Sequence, residues 1–282
     1  MYFLSVYAIF KNEGEIFKEW LEHYLSQGVD HFYLIDNGST DNYKDIIKPF
    51  MDCITLIFDD ERGDKTQSNI YNRHILPVLP ESKWVIGIDM DEFIYTKNGT
   101  IASNLKNLDD NIGQILIPWK YFGSSGHEYQ PSSVVDSFVY RRKAPFTAFT
   151  KIICKCEALE QIGIHSCSLK DGYITIDPLM NKLENIVASD FQTLEVTEDL
   201  ICDSKFCMNH YMIQSLDWFR RIKMTRGSTN FSSNHRNEEY FKEWDYNDVL
   251  DDELACKKQQ NLPLVIIVFM VLLFYIYFVV SH

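Results

Sequence analysis

Two carboxylates stand two residues apart in the segment Asp89-Met90-Asp91, directly after an apolar run at residues 84–88. Residues two apart in an extended chain point the same way, so both carboxylates can converge on one cation. A hard divalent cation held in this way keeps positions free for diphosphate oxygens and neutralises charge on a leaving group. The pattern predicts a site for a hard divalent cation, although two solvated acids at the end of a strand have the same spacing.

The carboxylates need a sheet to hold them, and the chain has the pattern of one. Apolar runs alternate with segments whose apolar residues recur at helical spacing, and Gly28 is a natural stop after the first helix. Such alternation is typical of an α/β domain with a Rossmann-like, mostly parallel central sheet and helices on both faces. The predicted strands lie at residues 3–10, 31–35, 54–58 and 84–88, and the predicted helices at 16–25 and 67–78.

The predicted topology also indicates where a ligand would bind. Ligands of such sheets bind outside the carboxyl ends of the strands. Polar clusters follow the first, second and fourth strands, so we expect them to meet at one edge of the sheet. Beyond about residue 112 the pattern is richer in strands, at 115–119, 137–142 and 151–155, and a helix returns at 215–225.

The segment 262–280 reads LPLVIIVFMVLLFYIYFVV and carries no charged residue. As a helix rising ~1.5 Å per residue, it would span roughly the ~30 Å hydrocarbon layer of a membrane. A core helix normally keeps a polar stripe, which this segment lacks. The sequence therefore predicts an α/β domain at residues 1–233, a polar juxtamembrane linker at 234–261 and one transmembrane helix at 262–280.

The flanking residues predict how the domain faces the membrane. Lys257 and Lys258 precede the apolar segment, and positive charge is retained on the cytosolic side. Residues 1–10 have no basic lead-in, so they are interpreted as a strand and not as a signal peptide. Seven scattered cysteines suit free thiols in a reducing compartment. We expect a single-pass membrane protein, anchored by its C-terminus, whose folded domain lies in the cytosol.

Charge argues against one class of partner. The formal net charge of −13 results from 40 acidic and 27 basic residues. Such a chain repels nucleic-acid phosphates, and it has no basic stripe of the kind that nucleic-acid binding needs. We expect no nucleic-acid partner.

Longer motifs give the two carboxylates a context. The block KNEGEIFKEWLEHYLSQGVDHFYLIDNGSTDN at residues 11–42, followed by WVIGIDMDEFIY at 84–95, resembles family 92 and family 2-like glycosyltransferases with the GT-A fold. These enzymes carry a KNE segment, an EW helix, a DNxSxD turn and a DxDEF motif in this order. Further matches lie in FGSSGH at 122–127, in the Lys151 strand, in NHY at 209–211 and in Thr225-Arg226-Gly227.

The resemblance, which spans about residues 2–231, implies a metal-dependent enzyme that transfers a sugar from a nucleotide-sugar donor to a hydroxyl acceptor, with inversion. Asp36 would accept a hydrogen bond from a ring N–H of the base, which suggests uridine. Lys151 and Arg226 would contact the diphosphate, although either could be a surface charge. Gln67 and Asn72 match polar positions of the family, although a solvated helix face has the same pattern. The residues implied for the donor are Lys11, Asn12, Glu13, Asp36, Asn37, Gln67, Asp89, Lys151 and Arg226.

The same resemblance implies a metal set and a catalytic base. Asp89 and Asp91 would hold Mn²⁺ or Mg²⁺, with His210 as the third protein ligand, although a lone histidine is more often structural. Asp91 is thereby a catalytic candidate. For the base that takes the proton of the acceptor hydroxyl, Glu128 beside the FGSSGH motif is the first choice. The alternatives are Asp136 and His165, and His127 could simply brace its loop.

Other functions remain possible from the sequence. A membrane-tethered nucleotide-sugar-binding or scaffold protein without turnover would keep the fold, but the intact metal set argues against it. A nucleotidyltransferase would need a glycine-rich, basic loop after the first strand, whereas Lys11-Asn12-Glu13-Gly14 is acidic and poor in glycine. Many relatives have an N-terminal anchor and work in the secretory lumen. The predicted orientation departs from theirs and leaves the acceptor open among a glycan, a lipid and a protein.

Overall fold

A large mixed sheet forms the centre of the computed structural model, which describes residues 1–227, 229–230 and 236–258. Together with three smaller sheets it contains the described strands, which are β1 (Tyr2–Phe10), β2 (His31–Asp36), β3 (Ile54–Phe58), β4 (Ser82–Gly87), β5 (Glu92–Thr96), β6 (Ile112–Pro118), β7 (Lys120–Tyr121), β8 (Tyr140–Arg141), β9 (Phe146–Lys155), β10 (Leu159–Ile162), β11 (Cys167–Leu169), β12 (Ile174–Ile176), β13 (Lys182–Leu183), β14 (Thr193–Val196), β15 (Phe206–His210) and β16 (Val249–Leu250).

Helices connect these strands and cover the large sheet. Lys48–Cys53, Leu76–Glu81 and Cys156–Ala158 form 3₁₀ turns, and Phe219–Lys223 forms a π-helical turn. The α-helices are α1 (Gly14–Ser26), α2 (Tyr43–Ile47), α3 (Thr66–His74), α4 (Ile101–Leu105), α5 (Val134–Ser137), α6 (Glu198–Asp203), α7 (Leu216–Trp218), α8 (Met224–Arg226) and α9 (Glu238–Trp244).

Most strands of the large sheet run in one direction. Its order is β13-β12-β6-β9-β4-β1-β2-β3, and the pairs within β4-β1-β2-β3 are all parallel. Strand β9 lies antiparallel between β4 and β6, so those two strands point the same way, and β12 is parallel to β6. The predicted α/β fold with a mostly parallel sheet is confirmed, and the inserted β9 is the feature that the alternation of elements did not predict.

Both faces of the sheet are packed with apolar side chains, which explains why its strands read as continuous apolar runs. In β1, Val6 and Ala8 belong to the cluster that contains α1, whereas Tyr7 and Ile9 belong to the cluster that contains α3. Alternate residues of a strand point to opposite faces, so one strand contributes to both cores. The helices predicted at 16–25 and 67–78 thus cover opposite faces, although the second ends at His74.

The end of β4 is shaped by a close contact. Gly87 is its last residue, and a Cβ atom at this position would lie 2.2 Å from the hydroxyl of Tyr7 on the neighbouring strand. Only glycine lets the two backbones and the tyrosine ring pack this closely. The chain then leaves the sheet at Ile88 and enters the segment that carries the two aspartates.

The three-stranded sheet β5-β15-β7 brings a distant histidine to this point. Strand β15 is antiparallel to β5, and its last residue, His210, is the register partner of Glu92. The backbone N–H of Tyr211 also donates a hydrogen bond of 2.8 Å to the carbonyl of Asp91. Backbone pairing therefore fixes His210 beside the residues that follow β4.

Part of the segment predicted as a linker at 234–261 is folded. Helix α9 buries Phe241, strand β16 pairs with β8, and Leu254 is buried in the main core. Asp251 accepts from Lys120 Nζ at 2.9 Å, and burial of its carboxylate is outweighed by this ammonium, which holds the pKa of Asp251 below its ordinary value. The acidic composition of this segment suggested a linker, although it contains apolar residues that pack into the fold.

Two other differences from the sequence predictions concern local structure. In place of a strand at 137–142 there is the short helix α5, whose N-terminus is capped by Ser133, and the two-residue strand β8. The predicted membrane span at 262–280 lies outside the described residues. Within the described ranges, no helix has the length and apolar character needed to cross a membrane.

Candidate active site

A cavity of about 420 Å³ opens at the carboxyl edge of the parallel strands. Such volumes are typical of small-molecule sites. The cavity walls come from the ends of β1 and β4, from the start of α3 and from the segment that follows β15. The predicted residues that line it are Lys11, Glu13, Gln67, Asp89, Asp91, His165, His210 and Arg226.

Asp89 is held in place from three sides. The Lys151 ammonium donates to its Oδ2 at 2.8 Å, Gln67 Nε2 lies 3.3 Å from Oδ1, and the backbone N–H of Asp89 donates to Glu92 Oε2 at 2.9 Å. Burial opposes ionisation of Asp89, yet Lys151 outweighs it and keeps the pKa below the ordinary value. Asp89 is thus an oriented carboxylate that stays charged.

Asp91 is buried in a salt bridge with Lys223. The Lys223 ammonium donates to Asp91 Oδ2, while Oδ1 lies 3.7 Å from His210 Nε2. Burial raises the pKa of Asp91, but Lys223 and His210 outweigh that effect and hold it well below the usual range. Burial lowers the pKa of His210. A neutral imidazole therefore faces an ionised carboxylate.

The three predicted metal ligands share one cavity wall, and their chemistry suits Mn²⁺ or Mg²⁺. Among the described residues the buried Nδ1 of His210 has no hydrogen-bond partner, and the ring packs against Trp119 at a centroid distance of 4.2 Å while its Nε2 faces Asp91. No cluster of three or more His, Cys, Asp or Glu side chains is spaced for a metal within the described residues. The types of side chain suit such an ion, and in this structure each aspartate forms a salt bridge with a lysine.

Lys11, Arg62 and Arg226 form a cationic wall of the cavity. Burial lowers the pKa of Arg62, and the nearby Arg226 lowers it further. Burial also lowers the pKa of Lys11, and the positive charge of Arg62 adds to this effect. Arg226 pairs with the buried carboxylate of Glu13 and donates to the carbonyl of Lys11 at 2.5 Å. Like charges held this close repel one another, so the wall is suited to an anion that would relieve the repulsion.

Two residues predicted to surround the donor base instead support loops. Asp36 Oδ2 accepts from the Tyr43 hydroxyl at 2.7 Å, and Oδ1 accepts from the backbone N–H of Ser39 at 2.7 Å. Asn12 Oδ1 accepts from the backbone N–H of Thr40 at 2.7 Å. Neither side chain lines the cavity. Both predictions placed the residues at the correct edge of the sheet, but the protein uses their polar atoms to fix its own turns.

Asn37 and Asn72 likewise bond to the backbone. Asn37 donates to the carbonyls of Asp59 at 2.8 Å and Glu61 at 3.0 Å. Asn72 donates to the carbonyl of Ile162 at 2.6 Å and thereby ties α3 to β10. Amide side chains next to unpaired backbone groups satisfy those groups first, so neither asparagine faces the cavity. Lys151, predicted for the diphosphate, lies buried behind Asp89.

Glu128, the predicted catalytic base, lies outside the cavity. Glu128 is exposed. Its neighbour His127 braces the loop through Nε2, which lies 3.2 Å from the carbonyl of Ser137. Asp136 accepts from Ser133 at 2.7 Å and from Lys258 at 2.8 Å, also outside the cavity. Proximity to a motif in sequence did not translate into proximity to the site.

His165 does line the cavity, but its chemistry is that of a weak base. Its Nδ1 lies 2.7 Å from the carbonyl of Thr150, and its ring stacks on Phe149 at 4.7 Å. Burial, reinforced by the Lys151 ammonium, lowers the pKa of His165 to about 3. A ring that is so weakly basic is poorly matched to proton abstraction near neutral pH.

Sequence reasoning missed several charged residues of the cavity, among them Arg62, Asp190 and Lys223. Asp190 is half-buried, and its carboxylate accepts from Ser68 Oγ at 3.0 Å and from the backbone N–H of Ile164 at 3.1 Å. No ion pair involves Asp190 in the described part of the chain. Lys223 could have been found, because it lies in the predicted helix at 215–225, three residues before the predicted site residue Arg226, and residues three apart on a helix share a face. For Asp190, which lies in an irregular segment before β14, the sequence carries no such signal.

Comparison with known sequences identifies relatives over most of the chain. The sequence model of glycosyltransferase family 92 matches residues 4–254. A glycosyltransferase family 92 protein from Ricinus communis is 26% identical over 181 residues, which cover 60% of this chain and 32% of the relative. One from Oryza sativa subsp. japonica is 25% identical over 214 residues, which cover 70% of this chain and 34% of the relative. The chain spans about a third of the length of the curated relatives it matches.

Solved structures give weaker matches. The crystal structure of S. aureus TarS 1–349 in complex with UDP aligns with a TM-score of 0.36 and 15% identity, covering 55% of this chain and 47% of that one. Glucosyl-3-phosphoglycerate synthase from Mycobacterium tuberculosis, in complex with Mn²⁺, UDP and phosphoglyceric acid, aligns with a TM-score of 0.31 and 16% identity, covering 56% and 57%. TM-scores of this size are too low to demonstrate a shared fold.

The low pKa of His165 predicts a pH dependence of stability. Below its ordinary value of 6.5 the unfolded chain binds a proton that the folded imidazole refuses until about pH 3, so stability falls as the pH drops through this window. Between pH 7 and pH 5 we expect the wild type to lose about 2 kcal/mol more than His165→Gln. Urea denaturation across this range measures the difference, and parallel profiles would show that folded His165 takes up a proton.

Proposed function

The chain belongs to glycosyltransferase family 92, and from this premise we propose that it transfers a sugar from a nucleotide-sugar donor to an acceptor hydroxyl. The proposed donor is a UDP-sugar, the proposed cofactor is Mn²⁺ or Mg²⁺, and the proposed outcome is inversion at the anomeric carbon. The observation that carries the proposal is one cavity, at the carboxyl edge of the parallel strands, that is lined by Asp89, Asp91 and His210 and by the cationic wall. This arrangement supports a GT-A type of domain.

The cationic wall supports binding of the donor diphosphate. Lys11, Arg62 and Arg226 line the cavity, and guanidinium groups bind phosphate oxygens through charge-assisted hydrogen bonds. Glu13 keeps Arg226 aimed into the cavity through their buried ion pair. A diphosphate placed here would have these cations as partners in the same cavity as the two aspartates.

The two aspartates and the histidine support binding of a divalent cation. Asp89, Asp91 and His210 would hold it, and when bound it would neutralise negative charge that develops on the leaving nucleoside diphosphate. Lys151 keeps Asp89 ionised, and Glu92 fixes the backbone N–H of Asp89 at 2.9 Å. These contacts orient the carboxylate before any ligand arrives, so less ordering is needed at the moment of reaction.

Asp190 replaces Glu128 as the proposed base. In an inverting transfer the acceptor oxygen attacks the anomeric carbon, a carboxylate takes the hydroxyl proton and the bond to the diphosphate breaks. Asp190 lines the cavity, and its hydrogen bonds from Ser68 and Ile164 orient the carboxylate. The competing proposal, a binding or scaffold protein without turnover, predicts donor binding with no product.

Substitution of Asp91 tests the enzyme proposal. Full-length protein in detergent would be incubated with Mn²⁺ and a panel of nucleotide sugars, and release of nucleoside diphosphate would be measured. We expect turnover of one donor, lost on chelation and reduced at least about 100-fold in Asp91→Asn. Glu22→Gln, an exposed change on α1, is the control and should keep full activity. Nucleotide binding without release of product from any donor would favour the scaffold alternative.

Substitution of Asp190 tests the proposed base. Asp190→Asn keeps the size of the side chain but removes the charge that takes the proton, so we expect kcat to fall about 100-fold or more. Binding of UDP in the presence of Mn²⁺ should change less than about twofold, because the base contacts the acceptor and not the diphosphate. The matched control is Asp64→Asn, another carboxylate that lines the cavity. A large loss in the control and none in Asp190→Asn would assign the base to Asp64.

We also propose that the apolar segment 262–280 anchors the domain in a membrane with the cavity on the cytosolic side, as Lys257 and Lys258 suggest. The acceptor would then be a glycan, a lipid or a protein that is reached from that side. We expect protease added to sealed vesicles to digest residues 1–258. A domain that resists protease until detergent is added would contradict the cytosolic placement.

A further inference from the structure

Three carboxylates that line the cavity each have a cation as partner. The side chains of Asp91 and Glu13 are both 5% exposed and their cations are 5% and 9% exposed, so these two pairs are screened little by solvent. The side chain of Asp89 is 33% exposed, and only its partner Lys151, at 1%, is fully buried. In formal charge the three pairs cancel. The pairs are Asp89 with Lys151, Asp91 with Lys223 and Glu13 with Arg226.

Lys151 and Lys223 hold their aspartates in different ways. Lys151 belongs to β9 in the middle of the sheet, lies 3.6 Å from Glu92 as well and does not line the cavity. Lys223 lines the cavity and lies outside the sheet, at the end of the π-helical turn Phe219–Lys223. π-Helical turns are rare and occur frequently at functional sites. Lys151 is therefore a fixed partner, whereas Lys223 is placed where it can exchange its partner.

A divalent cation and Lys223 compete for the same carboxylate. Asp91 Oδ2 accepts from the Lys223 ammonium, and the proposed function gives Asp91 to the metal. A metal ion arriving alone would leave two positive charges in excess in a buried site, which is costly. If a diphosphate arrives with it, the displaced ammonium has phosphate oxygens to contact and the charges balance again.

Resting on the proposed function, we propose that Lys223 is an exchangeable counter-ion, which neutralises Asp91 in the empty site and turns to the donor diphosphate when the divalent cation takes its place. The consequence is that cation and nucleotide bind interdependently. Each ligand should bind weakly alone and tightly in the presence of the other, and the coupling should be the same whichever is added first.

Removal of the ammonium should change the two affinities in opposite directions. In Lys223→Gln, Asp91 has lost its competitor, so Mn²⁺ alone should bind about tenfold more tightly than to the wild type. At saturating Mn²⁺, UDP should bind about tenfold more weakly, because a phosphate contact is gone. Free Mn²⁺ is measured by electron paramagnetic resonance and UDP binding by calorimetry, on the full-length protein in detergent.

Two further variants separate this role from a structural one. Lys223→Arg keeps the charge and should preserve the coupling between Mn²⁺ and UDP. Lys155→Gln removes another buried lysine, paired with Glu157 at 3.1 Å outside the cavity, and should leave both affinities unchanged. If Lys223 had only a structural role, its replacement would weaken the binding of Mn²⁺ and of UDP together.

The outcomes distinguish this inference from the function on which it rests. If the wild type binds no UDP with Mn²⁺, the proposed function and the role of Lys223 both fail. If it binds both ligands but Lys223→Gln binds Mn²⁺ no more tightly, only the role of Lys223 fails. Should Lys223→Gln not fold, the wild type still decides, because Mn²⁺ affinity that is equal with and without UDP would overturn the coupling.

Discussion

Burial of negative charge at the end of β4 is the constraint on which the structure depends. A carboxylate removed from water costs several kcal/mol unless a cation and hydrogen bonds accompany it, and this cavity contains two such groups, Asp91 and Glu13, beside the partly exposed Asp89. The cations of the three carboxylates come from separate parts of the chain, one from the antiparallel strand β9 and two from the helical segment that ends at Arg226. Satisfying these charges therefore ties the sheet to the chain that follows β15. The insertion of β9 beside β4 has its clearest electrostatic consequence here, because it delivers Lys151 to Asp89.

Periodic sequence patterns predicted the site residues that β-strands hold in place. Strands β1, β2, β3 and β4 follow the apolar runs, and the rule for parallel sheets places Lys11 and Asp89 at one edge. His210 came from the family resemblance, and backbone pairing of β15 with β5 accounts for its position. These predictions hold because a two-residue period and a parallel register leave few alternatives for where a strand ends.

The sequence predictions differ from the structure where tertiary packing determines the position of a side chain. Asp36, Asn37 and Asn12 follow the correct strands, but side-chain rotamers and neighbouring turns determined whether they face the cavity or satisfy backbone groups. Asp190 reached the cavity through an irregular segment that has no period to read. The acidic composition of 234–261 suggested a linker, yet a few apolar residues such as Phe241 were enough to dock a helix. Composition averages over a segment, whereas packing depends on individual side chains.

The charge of the whole chain makes the local arrangement more important. A net charge of −13 repels an anionic nucleotide sugar at long range. At physiological ionic strength that field decays over about 8 Å, so a ligand near the cavity responds mainly to the groups that line it. Those groups are cationic on the wall of Arg62 and Arg226 and balanced on the wall of Asp89 and Asp91. A lone divalent cation would add excess positive charge to such a site, whereas a cation and a diphosphate that bind together bring charges that cancel.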